Sequence, residues 1–164
     1  MNIYFLRHAP AMQRGLAEFP NDDRPLTEEG IQKMKKGARG LRTLLPQVDV
    51  VCSSPLVRAL DTAKIAAAAF NHPAPVVVCP QLLPDASFGD FLSLMKEHAG
   101  LESALIVGHE PNMGKTISAL LGSSRVMVDL KKGGLCRIRV DGAPGNGTGT
   151  LIYHLTPKQL RLMA

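Results

Sequence analysis

Short apolar runs alternate with stretches of helical periodicity over most of this chain, and this alternation constrains the fold more than any other feature. Four runs, at residues 3–6, 49–52, 75–79 and 104–107, are dominated by aliphatic side chains, which is typical of buried strands. Helical patterns lie between or after them. Strands that alternate with helices predict an α/β domain with a mostly parallel sheet.

Local signals mark the ends of the predicted helices, which cover 27–45, a segment from Ser54 onward, 88–98 and 111–121. Thr27 can cap the first helix, and Pro46 is expected to end it. Ser54 is expected to cap the second helix with Pro55 in its first turn, and Gly122 to close the fourth. The positions expected to face the core are Ile31, Met34, Ala38, Leu41 and Leu45 in the first helix, Leu56, Leu60, Ala63 and Ala67 in the second, and Phe88, Phe91, Leu92 and Met95 in the third.

The pattern changes after the fourth helix. Residues 135–140 and 150–155 indicate two strands around the segment DGAPGNGTG, which predicts an antiparallel hairpin with a flexible tip. We therefore expect an α/β three-layer sandwich with a mostly parallel central sheet, helices on both faces and a C-terminal antiparallel hairpin. Residues 1–164 are expected to form a single domain, since no linker or internal repeat divides the sequence.

The composition excludes several classes of protein. Hydrophobic residues make up 45% and charged residues 20%, which excludes a disordered chain. Aromatic residues are only 4%, so base-stacking platforms for nucleic acid are not expected, and the apolar runs are too short to span a membrane. The three cysteines, Cys52, Cys79 and Cys136, lie in apolar runs, which favours reduced core thiols in a cytoplasmic protein. The methionines, including Met113 and Met127, are expected to fill the core.

Polar residues of an unusual kind follow three of the predicted parallel strands. The first strand ends in Arg7 and His8, the second leads to SSP with Arg58 one turn into the next helix, and the fourth leads to His109. Ligands of open α/β sheets collect at the carboxyl ends of strands, and helix N-termini at that edge favour anions. Two guanidinium groups and two imidazoles there suit a phosphoryl group. Each residue alone has a structural explanation, such as a surface ion pair for Arg58, and only the joint placement favours a site.

Three segments resemble the signatures of a known family. LRHA at 6–9, SSPLVRALDTA at 53–63 and VGHEPNM at 107–113 are similar, in this order, to the signature segments of the histidine phosphatase superfamily, the phosphoglycerate-mutase-like enzymes. PLTEEGIQ at 25–32 resembles the start of that family's first helix. The short chain and the ending LTPKQL at 155–160 are most similar to the small bacterial phosphohistidine phosphatases of the SixA type.

The resemblance implies a mechanism and the residues that carry it. His8 would be the nucleophile that becomes a phosphohistidine, and Arg7, Arg58 and His109 would complete the phosphate pocket. Water would then hydrolyse the phosphoenzyme. No metal and no other cofactor is expected, because cationic side chains would neutralise the phosphoryl charge.

The sequence departs from the family's pattern at two positions. Ala9 stands where the family usually has a glycine after the catalytic histidine. The family's general acid is often a glutamate in a segment L-x-E-x-x-x-G, and the nearest match is Asp85 in LPDASFG, with a plain loop aspartate as the alternative. A weak acid favours phosphohistidine substrates, because an imidazole leaves more readily than an alkoxide.

The sequence leaves more than one function open. The favoured one is dephosphorylation of phosphohistidine on a signalling protein; the alternatives are a general phosphomonoesterase of the same superfamily and a non-catalytic phosphate-binding module. The expected partner is therefore a phosphorylated protein or a small phosphate ester, and neither nucleic acid nor a membrane. A phosphosugar mutase is disfavoured by the short chain. GHEPNMGKT at 108–116 is not a Walker A loop, because five residues separate its glycines where that motif has four.

Overall fold

The computed structural model describes residues 1–45 and 47–164 and is built on one six-stranded sheet. The strands are β1 (Asn2–Arg7), β2 (Val50–Ser53), β3 (Val77–Val78), β4 (Ser103–Gly108), β5 (Leu135–Val140) and β6 (Gly149–Leu155). Their order across the sheet is β3-β2-β4-β1-β5-β6. The first four in this order are parallel, and β5 is antiparallel to both β1 and β6. The predicted mostly parallel sheet with a C-terminal antiparallel hairpin is confirmed.

Five helices cover the two faces of the sheet. They are α1 (Glu28–Leu44), α2 (Val57–Ala69), α3 (Phe88–Glu97), α4 (Asn112–Leu120) and α5 (Pro157–Leu162). Helices α1, α2 and α5 share one core cluster with the sheet, and α3 and α4 share the other. Within β1 the side chains alternate: Ile3 and Phe5 belong to the α3–α4 side, and Tyr4 and Leu6 to the α1–α2 side. The molecule is the expected three-layer α/β sandwich.

The helix ends follow local chemistry in most cases. The Thr27 side chain accepts a 2.9 Å hydrogen bond from the Gly30 N–H at the start of α1, as predicted. Gly122 has a φ of +79° after α4, the left-handed conformation that favours glycine at a helix end. Helix α1 ends at Leu44; Pro46, predicted to end it, lies outside the described residues.

The start of α2 differs from the prediction. The helix begins at Val57 rather than directly after Ser54, and its N-cap Leu56 supplies no side-chain hydrogen bond. The Asp23 carboxylate accepts a 3.2 Å hydrogen bond from the Val57 N–H instead. The Ser54 hydroxyl accepts a 3.4 Å hydrogen bond from the Leu56 N–H, one residue ahead of the helix, and also contacts His109 at 2.8 Å.

The buried face of α2 was predicted incorrectly in part. Ala63 and Ala67 are buried as expected, but Leu56 and Leu60 are only half-buried. The side chains that face the sheet are mostly small, which permits close packing on β2 and β4; they are Ala59, Thr62, Ala63, Ala66 and Ala67. Because alanine is only weakly hydrophobic, the leucines determined the helical periodicity on which the prediction was based.

Three further details depart from the sequence-based expectation. The strand predicted at 75–79 contains only Val77–Val78, because it is an exposed edge strand between Pro75 and Pro80. Met113 is buried, but Met127 is 92% exposed and fills no core. Helix α5 was not predicted as a helix; its start is defined by the reciprocal hydrogen bonds of Thr156 and Gln159.

Candidate active site

The carboxyl ends of three parallel strands meet at one edge of the sheet. Arg7 at the end of β1 is paired with Gly108 at the end of β4, and Ser53 at the end of β2 is paired with Val107. The ladder continues one residue beyond, since the His8 N–H donates to the Gly108 carbonyl at 3.0 Å. Helices α2 and α4 both begin close to this edge. The predicted convergence of the three polar segments is therefore present.

A cleft of about 410 Å³ opens at this edge. All four residues predicted to carry the chemistry, Arg7, His8, Arg58 and His109, line it. Further basic side chains line the same cleft: Arg14, Arg24 and Lys132. The acidic residue Glu110 is also among the lining residues. Such a concentration of positive charge in a concave site attracts an anion.

His8 is buried, with 5% of its surface exposed, and its ring orientation is fixed. Its Nδ1 lies 2.8 Å from the carbonyl oxygen of Ala9. Because a carbonyl can only accept, Nδ1 carries the proton and Nε2 carries the lone pair. Burial lowers the pKa of His8 to about 3, and the charges of Arg58 and Arg7 act in the same direction. His8 is therefore a neutral imidazole at neutral pH.

The peptide after His8 is held by helix α2. The Ala9 N–H donates a 3.0 Å hydrogen bond to the Thr62 hydroxyl, which in turn donates to the Arg58 carbonyl at 2.7 Å. Ala9 is buried and does not have a positive φ, so its methyl group is accommodated where the family usually has glycine. Ala9, whose carbonyl orients His8, is thus anchored through its N–H to the helix that carries Arg58.

His109 lies beside His8, with 5.1 Å between the ring centroids. Its Nε2 is 2.8 Å from the Ser54 hydroxyl, and its Nδ1 is buried without a hydrogen-bond partner among residues 1–45 and 47–164. Burial lowers the pKa of His109 to about 3, with the charges of His8 and Arg58 contributing. If the Ser54 hydroxyl donates to Nε2, Nδ1 carries the proton and is a free donor.

The two arginines each combine an anchored part with a free donor. One terminal nitrogen of Arg7 donates to the Leu130 carbonyl at 2.9 Å, and both terminal nitrogens of Arg58 contact Asp22. Within the described part of the chain, the Nε atom of either arginine is buried and lacks a hydrogen-bond partner. Burial lowers the pKa of both guanidinium groups, but arginine stays protonated in proteins. Unpaired buried donors of this kind are costly unless a ligand satisfies them.

Asp85 does not join this group. Its side chain is exposed and it does not line the cleft, although its neighbour Pro84 does. The loop is held by Asn112, whose amide donates to the carbonyls of Leu83 and Ala86 at 3.1 and 2.7 Å. The acidic residue that does line the cleft is Glu110, and burial raises its pKa. The structure thus brings together Arg7, His8, Arg58 and His109, and leaves Asp85 outside.

Several site residues were not singled out from the sequence. Arg24, 8% exposed, donates to the Met12 carbonyl at 2.5 Å and to Asp22 at 2.6 Å. Arg24 is the first residue of the segment RPLTEEG, which was noted for its resemblance to the family, but Arg24 itself was not predicted to be a site residue. Arg14 and Asp22 lie in an irregular loop with no periodicity, so the sequence offered no sign that they reach the cleft.

Residues 1–45 and 47–164 contain neither a candidate metal site nor a candidate membrane-spanning helix. No group of three or more His, Cys, Asp or Glu side chains there is placed to hold a metal ion. Within the same residues, no helix combines the length and apolar character required to cross a membrane. Cys52, Cys79 and Cys136 are buried free thiols, as predicted.

Comparisons with known proteins identify the family. The sequence matches the Histidine phosphatase superfamily (branch 1) over residues 3–103. A protein of Picosynechococcus sp. described as uncharacterized is 36% identical over 147 residues, covering 87% of both chains. Phosphohistidine phosphatase SixA of Escherichia coli is 24% identical over 165 residues, covering 99% of this chain and 98% of SixA.

The fold is also shared with a solved structure. The protein histidine phosphatase SixA complexed with tungstate superposes with a TM-score of 0.84 at 23% identity, covering 98% of this chain and 99% of that one. At this identity the superposition shows the common fold. The match of residues 3–103 shows the family, and it contains two of the three signature segments. The chain therefore belongs to the histidine phosphatase superfamily and is a phosphatase of that family.

Proposed function

We propose that this phosphatase removes the phosphoryl group from phosphohistidine on a protein, through a phosphohistidine intermediate on His8. The observation that carries the proposal is the state of His8 in the cleft. The Nδ1–H of His8 donates to the Ala9 carbonyl, so that Nε2 keeps a lone pair. The cleft that His8 lines is also lined by Arg7, Arg58 and His109, which have buried N–H donors without a partner in the described part of the chain. A neutral imidazole beside cationic donors is what attack on a phosphoryl group requires.

Two displacements complete the reaction. In the first, the Nε2 lone pair of His8 forms a bond to phosphorus while the bond from phosphorus to the substrate's nitrogen breaks, and that nitrogen takes up a proton. In the second, a water oxygen bonds to phosphorus, the Nε2–P bond breaks, and inorganic phosphate leaves as the water proton passes to solvent or a nearby base. Arg7 and Arg58 neutralise charge on the phosphoryl oxygens in both steps, and the neutral His109 donates a hydrogen bond to them. The covalent intermediate turns one difficult displacement into two easier ones.

Two observations favour phosphohistidine over phosphate esters. Asp85, the carboxylate that the family resemblance suggested as a general acid, is exposed and outside the cleft. An imidazole leaving group depends less on such an acid than an alkoxide does. In addition, a relative that matches almost the whole chain, from Escherichia coli, is described as a phosphohistidine phosphatase.

The test is a comparison of substrate classes. Purified enzyme is assayed with a phosphohistidine-bearing protein, a simple alkyl phosphate and an activated aryl phosphate, and kcat/KM is measured for each. We expect the phosphohistidine protein to exceed the alkyl phosphate by about 10²-fold or more, the size of a typical contribution from general acid catalysis. Alkyl phosphate turnover equal to that of phosphohistidine would instead support a general phosphomonoesterase. Tungstate binding without turnover of any substrate would support a non-catalytic phosphate-binding module.

A further inference from the structure

We infer that Asp22 is a positioning residue for Arg58, an inference that rests on the proposed function. Asp22 receives both terminal nitrogens of the Arg58 guanidinium: one donates to its main-chain carbonyl at 2.6 Å and the other to Oδ2 at 3.0 Å. Asp22 itself has a φ of +57°, uncommon for a non-glycine residue. This backbone conformation places its carbonyl and its carboxylate on the same guanidinium.

The burial of Arg58 explains why such a partner is needed. Arg58 is 1% exposed, and a buried guanidinium without a counter-charge is strongly unfavourable. Asp22 supplies that charge: burial alone would raise the pKa of this carboxyl group, but hydrogen bonds from Arg14 and Arg24 lower it to about 2. Asp22 is therefore ionised throughout the pH range in which the enzyme would work.

The two contacts also determine which part of Arg58 remains for substrate. With both terminal nitrogens engaged by Asp22, the buried Nε–H has no partner among residues 1–45 and 47–164. A guanidinium held at both terminal nitrogens keeps the orientation of its remaining N–H donors fixed. Preorganised donors of this kind stabilise a transition state more than they stabilise the bound substrate.

Two other roles for Asp22 make different predictions. If Asp22 were a competitor that occupies Arg58 until a phosphoryl group displaces it, removal of its charge would lower KM for a dianionic substrate and leave kcat unchanged or higher. If Asp22 only stabilised the loop, its removal would lower thermal stability and leave kcat of the folded enzyme unchanged. Positioning predicts a fall in kcat with an unchanged or lower KM.

The experiment uses Asp22→Asn, which preserves the shape and the main-chain carbonyl contact. Turnover of an activated aryl phosphate is measured per folded molecule, with the folded fraction determined by circular dichroism. We expect kcat to fall about tenfold, less than the 10²–10³-fold expected when a whole donor such as Arg58 is removed. An unchanged kcat, whatever happens to KM or to the melting temperature, would overturn the inference.

Asp23→Asn is the matched control. Asp23 is the next residue in the same loop. Among residues 1–45 and 47–164 its carboxylate accepts a 3.2 Å hydrogen bond from the Val57 N–H at the start of α2 and contacts no arginine. We expect a loss of thermal stability with kcat unchanged. A loss of kcat in Asp23→Asn equal to that in Asp22→Asn would show that a loop defect, rather than the orientation of Arg58, is responsible.

A double-mutant cycle closes the test. If Asp22 acts through Arg58, then Asp22→Asn should change kcat by less than twofold in an Arg58→Ala background, because the Arg58 guanidinium is no longer there to orient. Asp22 also accepts hydrogen bonds from Arg14 and Arg24, so a larger loss in that background would indicate a role through those residues instead. An additive tenfold loss in that background would overturn the inference. The unmodified enzyme separates the two proposals: a lack of turnover there contradicts the proposed function, whereas normal turnover with an insensitive Asp22 contradicts the positioning role alone.

Discussion

The chemistry of this protein depends on the environment of one imidazole. His8 would titrate near neutrality in solvent, but burial beside Arg7 and Arg58 lowers its pKa to about 3. The neighbouring carbonyl of Ala9 selects the tautomer that leaves Nε2 with a lone pair. The burial that keeps His8 neutral also makes the stability of the fold depend on pH.

The free energy of unfolding should therefore fall as the pH is lowered from 6.5 towards 3. In this window the unfolded chain protonates His8 and His109, whereas the folded chain, with pKa values of about 3, does not. Each histidine contributes a slope of up to about 1.4 kcal/mol per pH unit. Urea denaturation at pH 7 and pH 5 should show a smaller loss of stability in His8→Asn than in the unmodified protein.

The control for this measurement is His154→Asn. His154 is exposed on β6 and is not among the residues that line the cleft, so this variant removes a histidine without changing the burial of His8 and should lose as much stability between pH 7 and pH 5 as the unmodified protein. If His8→Asn and the unmodified protein lose the same stability between pH 7 and pH 5, then His8 is not a depressed, neutral imidazole in the folded state.

A second prediction at this scale concerns proton donation to the leaving group. Glu110 is among the residues that line the cleft, and burial raises its pKa. Because a phosphohistidine substrate leaves as an imidazole and depends little on an acid, we expect Glu110→Gln to leave the ratio of kcat/KM for an alkyl phosphate to that for an activated aryl phosphate unchanged. A fall of about 10²-fold in this ratio would identify Glu110 as a general acid and would favour a phosphomonoesterase. The ratio of the two substrates is the measured quantity, because it does not depend on the folded fraction.

Asp85→Asn provides the comparison for Glu110. Because Asp85 is exposed and outside the cleft, this variant should leave the alkyl-to-aryl ratio unchanged. A ratio that changes in Asp85→Asn but not in Glu110→Gln would return the role of general acid to Asp85, and would require the loop held by Asn112 to move towards the cleft when substrate binds.

At the scale of elements, the packing of α5 on α1 depends on a glycine. A Cβ atom at Gly40 would lie 2.2 Å from the Leu160 carbonyl oxygen, so the two helices approach too closely for any side chain there. Gly40→Ala should destabilise the fold by about 1–3 kcal/mol, the usual cost of overpacking, and lower the melting temperature.

Gly37 offers a matched control on the same helix. A Cβ atom at Gly37 would lie 3.9 Å from its nearest neighbours on α5, which is an ordinary contact. Gly37→Ala should therefore leave stability unchanged or raise it by up to about 1 kcal/mol through helix propensity. Equal melting temperatures for the two alanine variants would mean that α1 and α5 are not in close contact.

The elements also show what the sequence could and could not predict. Strands β1, β2 and β4 were predictable because each is buried and reads as an apolar run bounded by polar residues. Strand β5 was predictable because its apolar residues alternate with arginines. The short edge strand β3 and the face of α2 were not, since exposure and small side chains weaken the periodicity. Helix α5 has only one buried residue, Leu160, so it lacks an apolar pattern altogether.

At the scale of the whole molecule, strand order creates the site. Because β4 lies between β1 and β2, the residues after three separate strands meet at one edge, although they are far apart in the chain. This placement of Arg7, His8, Arg58 and His109 could be predicted from the position of each residue after a strand. The contribution of Asp22 could not, because an irregular loop carries no periodicity and its contact with Arg58 exists only in the folded molecule.

The most direct test of the whole account is to trap the phosphoenzyme. The unmodified protein and His8→Ala are each mixed with an activated aryl phosphate and quenched rapidly in alkali or denaturant, and the intact mass and the modified peptide are determined by mass spectrometry. The account predicts one acid-labile phosphoryl group on His8 in the unmodified protein, and neither phosphorylation nor turnover in His8→Ala. Acid-labile phosphate on the His8→Ala protein, or turnover that survives the substitution, would contradict it.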